Sequence, residues 1–312
     1  MAKQSIHKKK ARILVIIGPT ASGKTSLGVA LAAEFQGEIV SADSRQVYRG
    51  LDIGTGKDLA SYKVGRQKIK HHLIDVVNPQ QDYNLAQYQT AAQRAIVNIL
   101  SCGQLPIVVG GSGLYLQALV DNYQLDIKSD KLSKNRVLTK LSAAELWQKI
   151  KVIKPEFADR LNNSDRNNSR RLLRYLEIIE AGGEVGMNKK ESPYDFLVIG
   201  LDWPDKTLRE RINFRILERL EKEGMIAEVK RLHDEGLSWE RLKSFGLEYK
   251  VISQHLLGEL SYQEMIDKLS IASWRFAKRQ RTWFRRWRRQ GRKIKSVKDL
   301  AAARKEVKKF LA

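Results

Sequence analysis

An α/β fold, with a parallel sheet flanked by helices, a small all-helical insertion domain and a helical C-terminal part, is predicted by three observations. Short apolar runs alternate with helical stretches between residue 12 and about residue 120, the pattern of buried parallel strands covered by helices. The first of those runs passes directly into Gly18-Pro19-Thr20-Ala21-Ser22-Gly23-Lys24-Thr25, a G-x-x-x-x-G-K-T loop that opens a helix, which makes the sheet P-loop NTPase-like. After a stretch rich in Lys, Arg and Asn, an apolar run returns at Phe196-Leu197-Val198-Ile199-Gly200-Leu201, so the core is discontinuous in sequence.

Taken in order, Ile13 to Ile17 is an unbroken apolar strand, and Ser26 to Phe35 is the helix after the loop. Glu38 to Ala42 reads as the second strand, Tyr88 to Leu100 as a helix, and Ile107 to Val109 as the third strand. Near Asp126 the composition shifts. Helical segments including Ala143 to Ile153 and Arg170 to Ala181 then form the insertion, assigned to residues 126–193. Beyond the returning strand come helices over Thr207 to Glu223, Ile226 to Glu235 and Tyr249 to Leu257, and from Tyr262 into a long basic segment. The catalytic core is thus expected over residues 12–125 and 194–290, with residues 1–11 and 291–312 as basic terminal extensions.

With 312 residues, of which 42% are hydrophobic, the chain can bury a substantial core. Fifty-seven Lys and Arg against thirty-five Asp and Glu give a formal charge of +22, which points to a polyanionic partner, nucleic acid foremost. The single cysteine, Cys102, excludes an internal disulfide and any multi-cysteine metal site. The apolar run after the N-terminal lysines is too short for a signal peptide or a membrane span, so a cytoplasmic location without membrane association is expected.

Chemistry concentrates in a few places. In the G-x-x-x-x-G-K-T loop, Gly18, Thr20, Ala21, Ser22 and Gly23 let backbone N–H groups curl around phosphate oxygens. Lys24 adds a mobile positive charge, and the Thr25 hydroxyl is placed to hold Mg²⁺. The result is a diphosphate cradle that does not by itself say which compound enters. Asp43, at the end of the second strand, is a candidate Mg²⁺ ligand or proton acceptor, and a turn or capping aspartate is the plain alternative. The three glycines around Ser112 in Val109-Gly110-Gly111-Ser112-Gly113 permit close approach of a ligand, though a strand-to-helix turn explains them equally well.

From Trp274 to Lys295 there are eleven Lys and Arg and no acid, interleaved with Phe276, Trp283, Phe284 and Trp287. As a helix, this segment would dock Phe276, Trp283 and Trp287 on the core and line Lys278, Arg281, Arg285 and Arg288 on another face as a rail for RNA phosphates. Arg211 and Arg215 share a helix face at i, i+4, and either could clamp a diphosphate; pairing with Glu210 or Glu218 is the alternative. The pair His71-His72 has no second ligand pair at metal spacing and reads as structural.

Five motifs in order, GPTASGKT at 18–25, SADSRQVYRGLDIGTGK at 41–57, HHLID at 71–75, VVGGSGLYLQAL at 108–119 and RFAKRQRTWFR at 275–285, closely resemble the bacterial tRNA isopentenyltransferase family. The resemblance implies transfer of a dimethylallyl group from dimethylallyl diphosphate to N6 of the adenosine on the 3′ side of the tRNA anticodon, with Mg²⁺ as cofactor. By that similarity Lys24 and Thr25 stabilise the departing diphosphate, Asp43 takes the N6 proton, and Ser112 stands near the reacting atoms where the family usually has threonine. Arg211 and Arg215 match the family's R-I-x-x-R stretch, which does not choose between them.

The tRNA anticodon stem-loop is the implied partner, with no obligate protein partner. The positions implied to meet it are Asp43, Ser44, Arg45, Gln46 and Ser112 at the channel, and Lys134, Arg170, Arg171 and Arg174 in the insertion. Gly246, Tyr249 and Lys250 follow, then Lys278, Arg279, Gln280, Arg281, Thr282, Trp283 and Arg285. Three departures from the family pattern stand out: Asn168 in place of aspartate, Glu248 interrupting Gly-Tyr-Lys, and Trp274 for a frequent arginine. An adenylate isopentenyltransferase acting on free nucleotide, or a P-loop kinase of a small molecule, would share the first part of the chain but leave the basic C-terminal segment idle.

Overall fold

The computed structural model describes residues 10–125, 138–183, 185 and 188–312, which fall into two compact units, 10–122 with 191–312, and the described residues between 123 and 190. In the larger unit, β1 (Ala11–Ile17) leads through the glycine-rich loop into α1 (Lys24–Glu34), followed by β2 (Gly37–Ala42). A loop that includes the two-residue hairpin β3 (Lys63–Val64) and β4 (Gln67–Lys68) precedes β5 (His71–His72). Then come α2 (Leu85–Ser101), β6 (Leu105–Gly110) and α3 (Gly113–Val120).

The smaller unit holds α4 (Ala143–Ile153), α5 (Pro155–Arg160), α6 (Asn163–Arg166) and α7 (Ser169–Glu180) around its own core of Leu146, Ile150, Leu172 and Leu176. The sequence starts and stops these helices locally. Ser142 and Glu145 cap each other's backbone N–H groups at α4, and Pro155 begins α5 where its missing N–H costs nothing. Lys134 lies outside the described residues.

The chain resumes with β7 (Tyr194–Leu201), α8 (Asp205–Glu221), α9 (Met225–Asp234), α10 (Trp239–Ser244), α11 (Leu247–Leu256) and α12 (Tyr262–Arg289), and ends in β8 (Lys295–Val297) and α13 (Leu300–Leu311). The six strands of the main sheet run parallel in the order β5-β2-β6-β1-β7-β8. Residues 291–312, expected as a terminal extension, therefore belong to the core: β8 pairs with β7, and Val297, Ala303 and Val307 are buried with α1 on one sheet face. Every residue from Ile13 to Ile17 is essentially inaccessible, because α2, α3 and Trp287 of α12 cover the other face. Two-sided burial is what turns β1 into a continuous apolar run.

Register fixes the site. Ile17 lies level with Gly110 and Gly200, and Ala42 is also level with Gly110. The glycine-rich loop, Asp43 and the Gly111-Ser112 turn consequently leave the sheet side by side at its carboxyl edge, where open α/β sheets bind ligands. Among the described residues no helix is long and apolar enough to cross a membrane.

Candidate active site

A cavity of about 570 Å³ opens at that edge. Its floor is the N-terminus of α1. Gly23 caps the helix with φ of 89°, a left-handed conformation that favours glycine, and having no side chain it leaves the first-turn N–H groups without a side-chain cap. Those donors and the helix dipole face the cavity as an anion site. Thr20, Ala21, Gly23, Lys24 and Thr25 line it, whereas Gly18 and Ser22 shape the loop from behind.

The loop is held from outside by the C-terminal half of the chain. Trp203 Nε1 donates to Ser22 O at 2.9 Å, Arg211 Nε donates to Ala21 O at 2.8 Å, and Thr20 N–H donates to Gln280 Oε1 at 2.8 Å. Gln280 Nε2 in turn donates to Gly111 O at 3.0 Å, so this one amide ties the phosphate loop to the Ser112 turn. The resemblance implies an RNA contact at Gln280; in the structure both ends of its amide are engaged inside the protein, and the residue lines the cavity. The two candidate arginines of α8 are placed differently. Arg211 braces a loop carbonyl, while Arg215, one turn further along α8, lines the cavity.

Arg219, another turn on, also lines the cavity and escaped sequence reasoning, although the i, i+4 series Arg211, Arg215, Arg219 was there to be continued. Burial pulls the Lys24 ammonium below the ordinary lysine value; Asp43 opposes that pull, and Arg215 and Arg219 add to it. Lys24, Arg215 and Arg219 thus face one cavity together with the N-terminus of α1, an arrangement suited to an anion.

The second wall carries the carboxylate. Asp43 Oδ1 accepts the N–H of Arg45 at 2.9 Å, a turn that fixes the side chain at the cavity. Ser112 Oγ accepts the N–H of Ser44 at 3.0 Å, and Ser112 N–H donates to Ala42 O at 3.2 Å, so Ser112 supports the strand end from which Asp43 projects. Ser44, Arg45 and Gln46 complete this wall, with Gln46 Nε2 donating to Gly56 O at 3.2 Å. The loop 52–54 is itself pinned by buried Glu228, which accepts the N–H groups of Asp52, Ile53 and Gly54 and the Tyr249 hydroxyl within 2.7 to 3.0 Å. Tyr62, Tyr115, Phe245, Leu247, Phe276 and Trp283 give the cavity its apolar surface.

Of the other RNA candidates, Gly246 lines the cavity and Lys250 is exposed on α11, but Tyr249 is buried with its hydroxyl on Glu228 and supports the wall. In the smaller unit Arg170 and Arg171 are exposed, Arg171 pairs with Asp165 at 2.7 Å, and half-buried Arg174 pairs with Glu177 at 3.1 Å. Along α12, Lys278, Arg279, Thr282 and Arg285 are exposed and continue into Arg286 and Arg289 as one stripe. Phe276 is 36% exposed at the cavity mouth, so the docking aromatics are Phe284 and Trp287, with half-buried Trp283 between core and cavity.

Arg281 does not belong to the rail. It is buried, donates to Asp202 Oδ1 at 2.7 Å and Asp205 Oδ1 at 2.5 Å, and also reaches Trp203 O. The acids missing from its own helix come from the β7–α8 junction. Arg281→Ala is expected to destabilise the fold by about 1–3 kcal/mol, the usual scale for hydrogen bonds to charged groups, with solvent screening of the two exposed aspartates setting the lower end. A urea midpoint unchanged from wild type would return Arg281 to the surface.

The IPP transferase family model matches residues 46–287, and an isopentenyl transferase model matches residues 11–75. The chain is 47% identical over 287 residues to tRNA dimethylallyltransferase 1 of Syntrophus aciditrophicus, covering 90% of this chain and 92% of that one. It is 41% identical over 302 residues to tRNA dimethylallyltransferase 1 of Geotalea uraniireducens, covering 96% of each. Among solved structures, the full-length tRNA isopentenylpyrophosphate transferase of Bacillus halodurans is 34% identical with a TM-score of 0.66, covering 97% of this chain and 96% of that one. A eukaryotic dimethylallyltransferase solved acting on tRNA is 26% identical with a TM-score of 0.74, covering 93% and 75%.

Proposed function

The chain belongs to the IPP transferase family of tRNA dimethylallyltransferases and prenylates tRNA, and from that premise we propose that it transfers a dimethylallyl group from its diphosphate to N6 of the adenosine on the 3′ side of the anticodon. One observation supports this most: an anion cradle, a carboxylate and an apolar wall meet in a single cavity at the sheet's carboxyl edge. A kinase needs the first of these but has no use for the cationic stripe on α12.

In the reaction the N6 nitrogen forms a bond to the allylic carbon as the carbon–oxygen bond to diphosphate breaks, and the bonding pair leaves with the oxygen. Lys24, the α1 N-terminus and Arg215 stabilise the charge that gathers on the leaving group, an effect magnified where water is excluded. Asp43 accepts the proton that N6 must lose. Ser112 acts on Asp43 through the backbone of Ser44. The aromatic and aliphatic wall holds the prenyl chain against the attacking nitrogen and keeps water from it.

An adenine stacked beside the anticodon cannot enter such a cavity. Extruding it costs a few kcal/mol, which contacts elsewhere on the RNA offset. The exposed stripe Lys278, Arg279, Thr282 and Arg285, with Arg45 at the mouth, is suited to the backbone of the anticodon stem-loop. Arg170, Arg171 and Lys250 are further exposed cations offered to the same partner. A combined Lys278→Ala and Arg285→Ala variant is expected to weaken tRNA binding and lower the slope of log affinity against log salt by about 1.5–2, since each phosphate contact contributes a little under one unit. Filter binding across a salt series measures it; an unaltered slope removes the stripe from the RNA interface.

Mg²⁺ fits the donor set. The Thr25 hydroxyl stands at the phosphate cradle, and a hard cation that retains its waters needs few protein oxygens once it holds phosphates. No cluster of three or more His, Cys, Asp or Glu offers a rival metal site among the described residues. When bound, the ion would neutralise leaving-group charge. The function itself is tested by mass spectrometry of tRNA nucleosides after incubation with dimethylallyl diphosphate: N6-isopentenyladenosine at one position is expected. Prenylation of free AMP but not of an anticodon stem-loop, or phosphate transfer from ATP without any prenyl transfer, would overturn the proposal.

A further inference from the structure

Arg219 is a charged group in the cavity that the scheme above leaves without a task. It follows Arg215 by one turn of α8, and its guanidinium packs so closely on the loop after β2 that a Cβ on Gly56 would collide with it. Its Nε is buried and has no hydrogen-bond partner among the described residues. An unsatisfied buried donor is costly, and a native structure that keeps one calls for an explanation, of which a bound ion is one.

Glu248, in the first turn of α11, lines the same cavity. Burial lowers the proton affinity of Arg219 and nearby Arg215 adds to that, while Glu248 is the first of the acids that offset it. Conversely, burial raises the Glu248 carboxyl above the ordinary range and Arg219 draws it back. The two residues are thus coupled by charge. Counted over the lining, Lys24, Arg45, Arg215, Arg219 and Arg279 outnumber Asp43, Asp58 and Glu248, so the empty cavity carries an excess of positive charge.

We propose that Arg219 is a further diphosphate-binding residue, donating to the leaving group beside Lys24 and Arg215, and that Glu248 is a positioning residue holding its guanidinium toward the cavity. The assignment rests on the prenyl-transfer reading of this site. Three cations converging on one cavity repel each other, and Asp43 beside Lys24 and Glu248 beside Arg219 offset part of that repulsion. When a multiply charged anion arrives, the guanidinium gains a stronger acceptor than a carboxyl that burial already pushes toward its neutral form. Glu248 also accounts for the interruption of Gly-Tyr-Lys: it is the acid that a cation at position 219 requires.

The test titrates inorganic diphosphate into the full-length protein by calorimetry for wild type, Arg219→Met, Arg219→Lys and Glu248→Gln. Steady-state prenyl transfer is measured on the same preparations. Arg219→Met is expected to weaken diphosphate binding about tenfold to a hundredfold, the range for hydrogen bonds to charged groups, and to raise KM for dimethylallyl diphosphate while leaving KM for tRNA unchanged. Arg219→Lys restores part of the affinity, because the charge returns without the planar fork. Glu248→Gln shifts the same KM in the same direction by less.

A folded Arg219→Met protein that binds inorganic diphosphate as tightly as wild type overturns the proposal; if that variant does not fold, Arg219→Gln decides on the same criterion. Equal changes in both KM values would also overturn it, since they indicate a general disturbance of the cavity. Wild-type protein that binds diphosphate but transfers no prenyl group would instead overturn the reading on which the assignment rests.

Discussion

Asp43→Ala lowers turnover by about 10²–10⁴-fold, the usual contribution of a positioned general base, while tRNA affinity stays within a few-fold of wild type. The split follows from geometry. Asp43 sits at the carboxyl end of β2, where its Oδ1 accepts the Arg45 N–H and the Ser44 N–H is held by Ser112. Removing the carboxylate takes away the proposed proton acceptor, whereas Arg45, Gln46 and the α12 stripe keep their places.

Asp43→Asn separates the two services of the side chain. It keeps an acceptor for the Arg45 N–H and so preserves the turn, yet it cannot take up the N6 proton, and its turnover is expected to match that of the alanine variant. Single-turnover prenyl transfer under saturating tRNA distinguishes the outcomes. An asparagine variant close to wild type would make Asp43 a turn residue and leave N6 to lose its proton elsewhere. Ser112→Ala should cost far less, about tenfold, because it removes one short hydrogen bond, from the Ser44 N–H, of roughly 0.5–1.5 kcal/mol and a long one at 3.4 Å to Ser44 Oγ, and touches Asp43 only through its neighbour.

What the sequence made legible was whatever is written in consecutive residues. The glycine-rich loop, its flanking strand and the helix behind it are one continuous segment, so the cradle could be read directly. Helix α4 was legible to the residue because Ser142 with Glu145 marks its start and Pro155 marks the break after it. The parallel sheet followed from fully apolar runs, but its edges did not. β5 is two histidines, one of them paired with Glu38 at 2.5 Å, and β8 is three residues of little apolar character. Such strands exist because a neighbour already presents free backbone groups, which no local pattern announces.

The basic segment misled for a related reason. A run without acids looked like an outward face, yet the counter-ions of Arg281 lie 76 and 79 residues earlier in the chain. Its helical periodicity was sound, with Trp287 inward and Lys278, Arg285 and Arg288 outward; the misplaced residues are Phe276 and Arg281. The inward line runs through Ala277, Gln280, Arg281, Phe284 and Trp287, and the outward one through Lys278, Thr282, Arg285 and Arg289. Charge alone does not identify the wet face when a partner from a distant element can neutralise it.

Lys24→Ala is the second large effect, expected at about 10²–10³-fold in turnover, the scale on which a single preorganised donor to a developing oxyanion acts. The same substitution should weaken binding of inorganic diphosphate. Lys24 opens α1, and burial, together with Arg215 and Arg219, depresses its proton affinity below the ordinary lysine value. A diphosphate reverses that balance, because its charge favours the protonated ammonium. Binding therefore draws a proton to Lys24 wherever the empty form has already lost it, and affinity falls as pH rises through the depressed value toward the ordinary one. Calorimetric titrations of inorganic diphosphate in buffers of different ionisation enthalpy should reveal this proton uptake in wild type at alkaline pH and its loss in Lys24→Ala. If the alanine variant keeps both the uptake and the turnover, the helix terminus and the arginines hold the leaving group without the lysine, and the charge in the loop serves only to shape it.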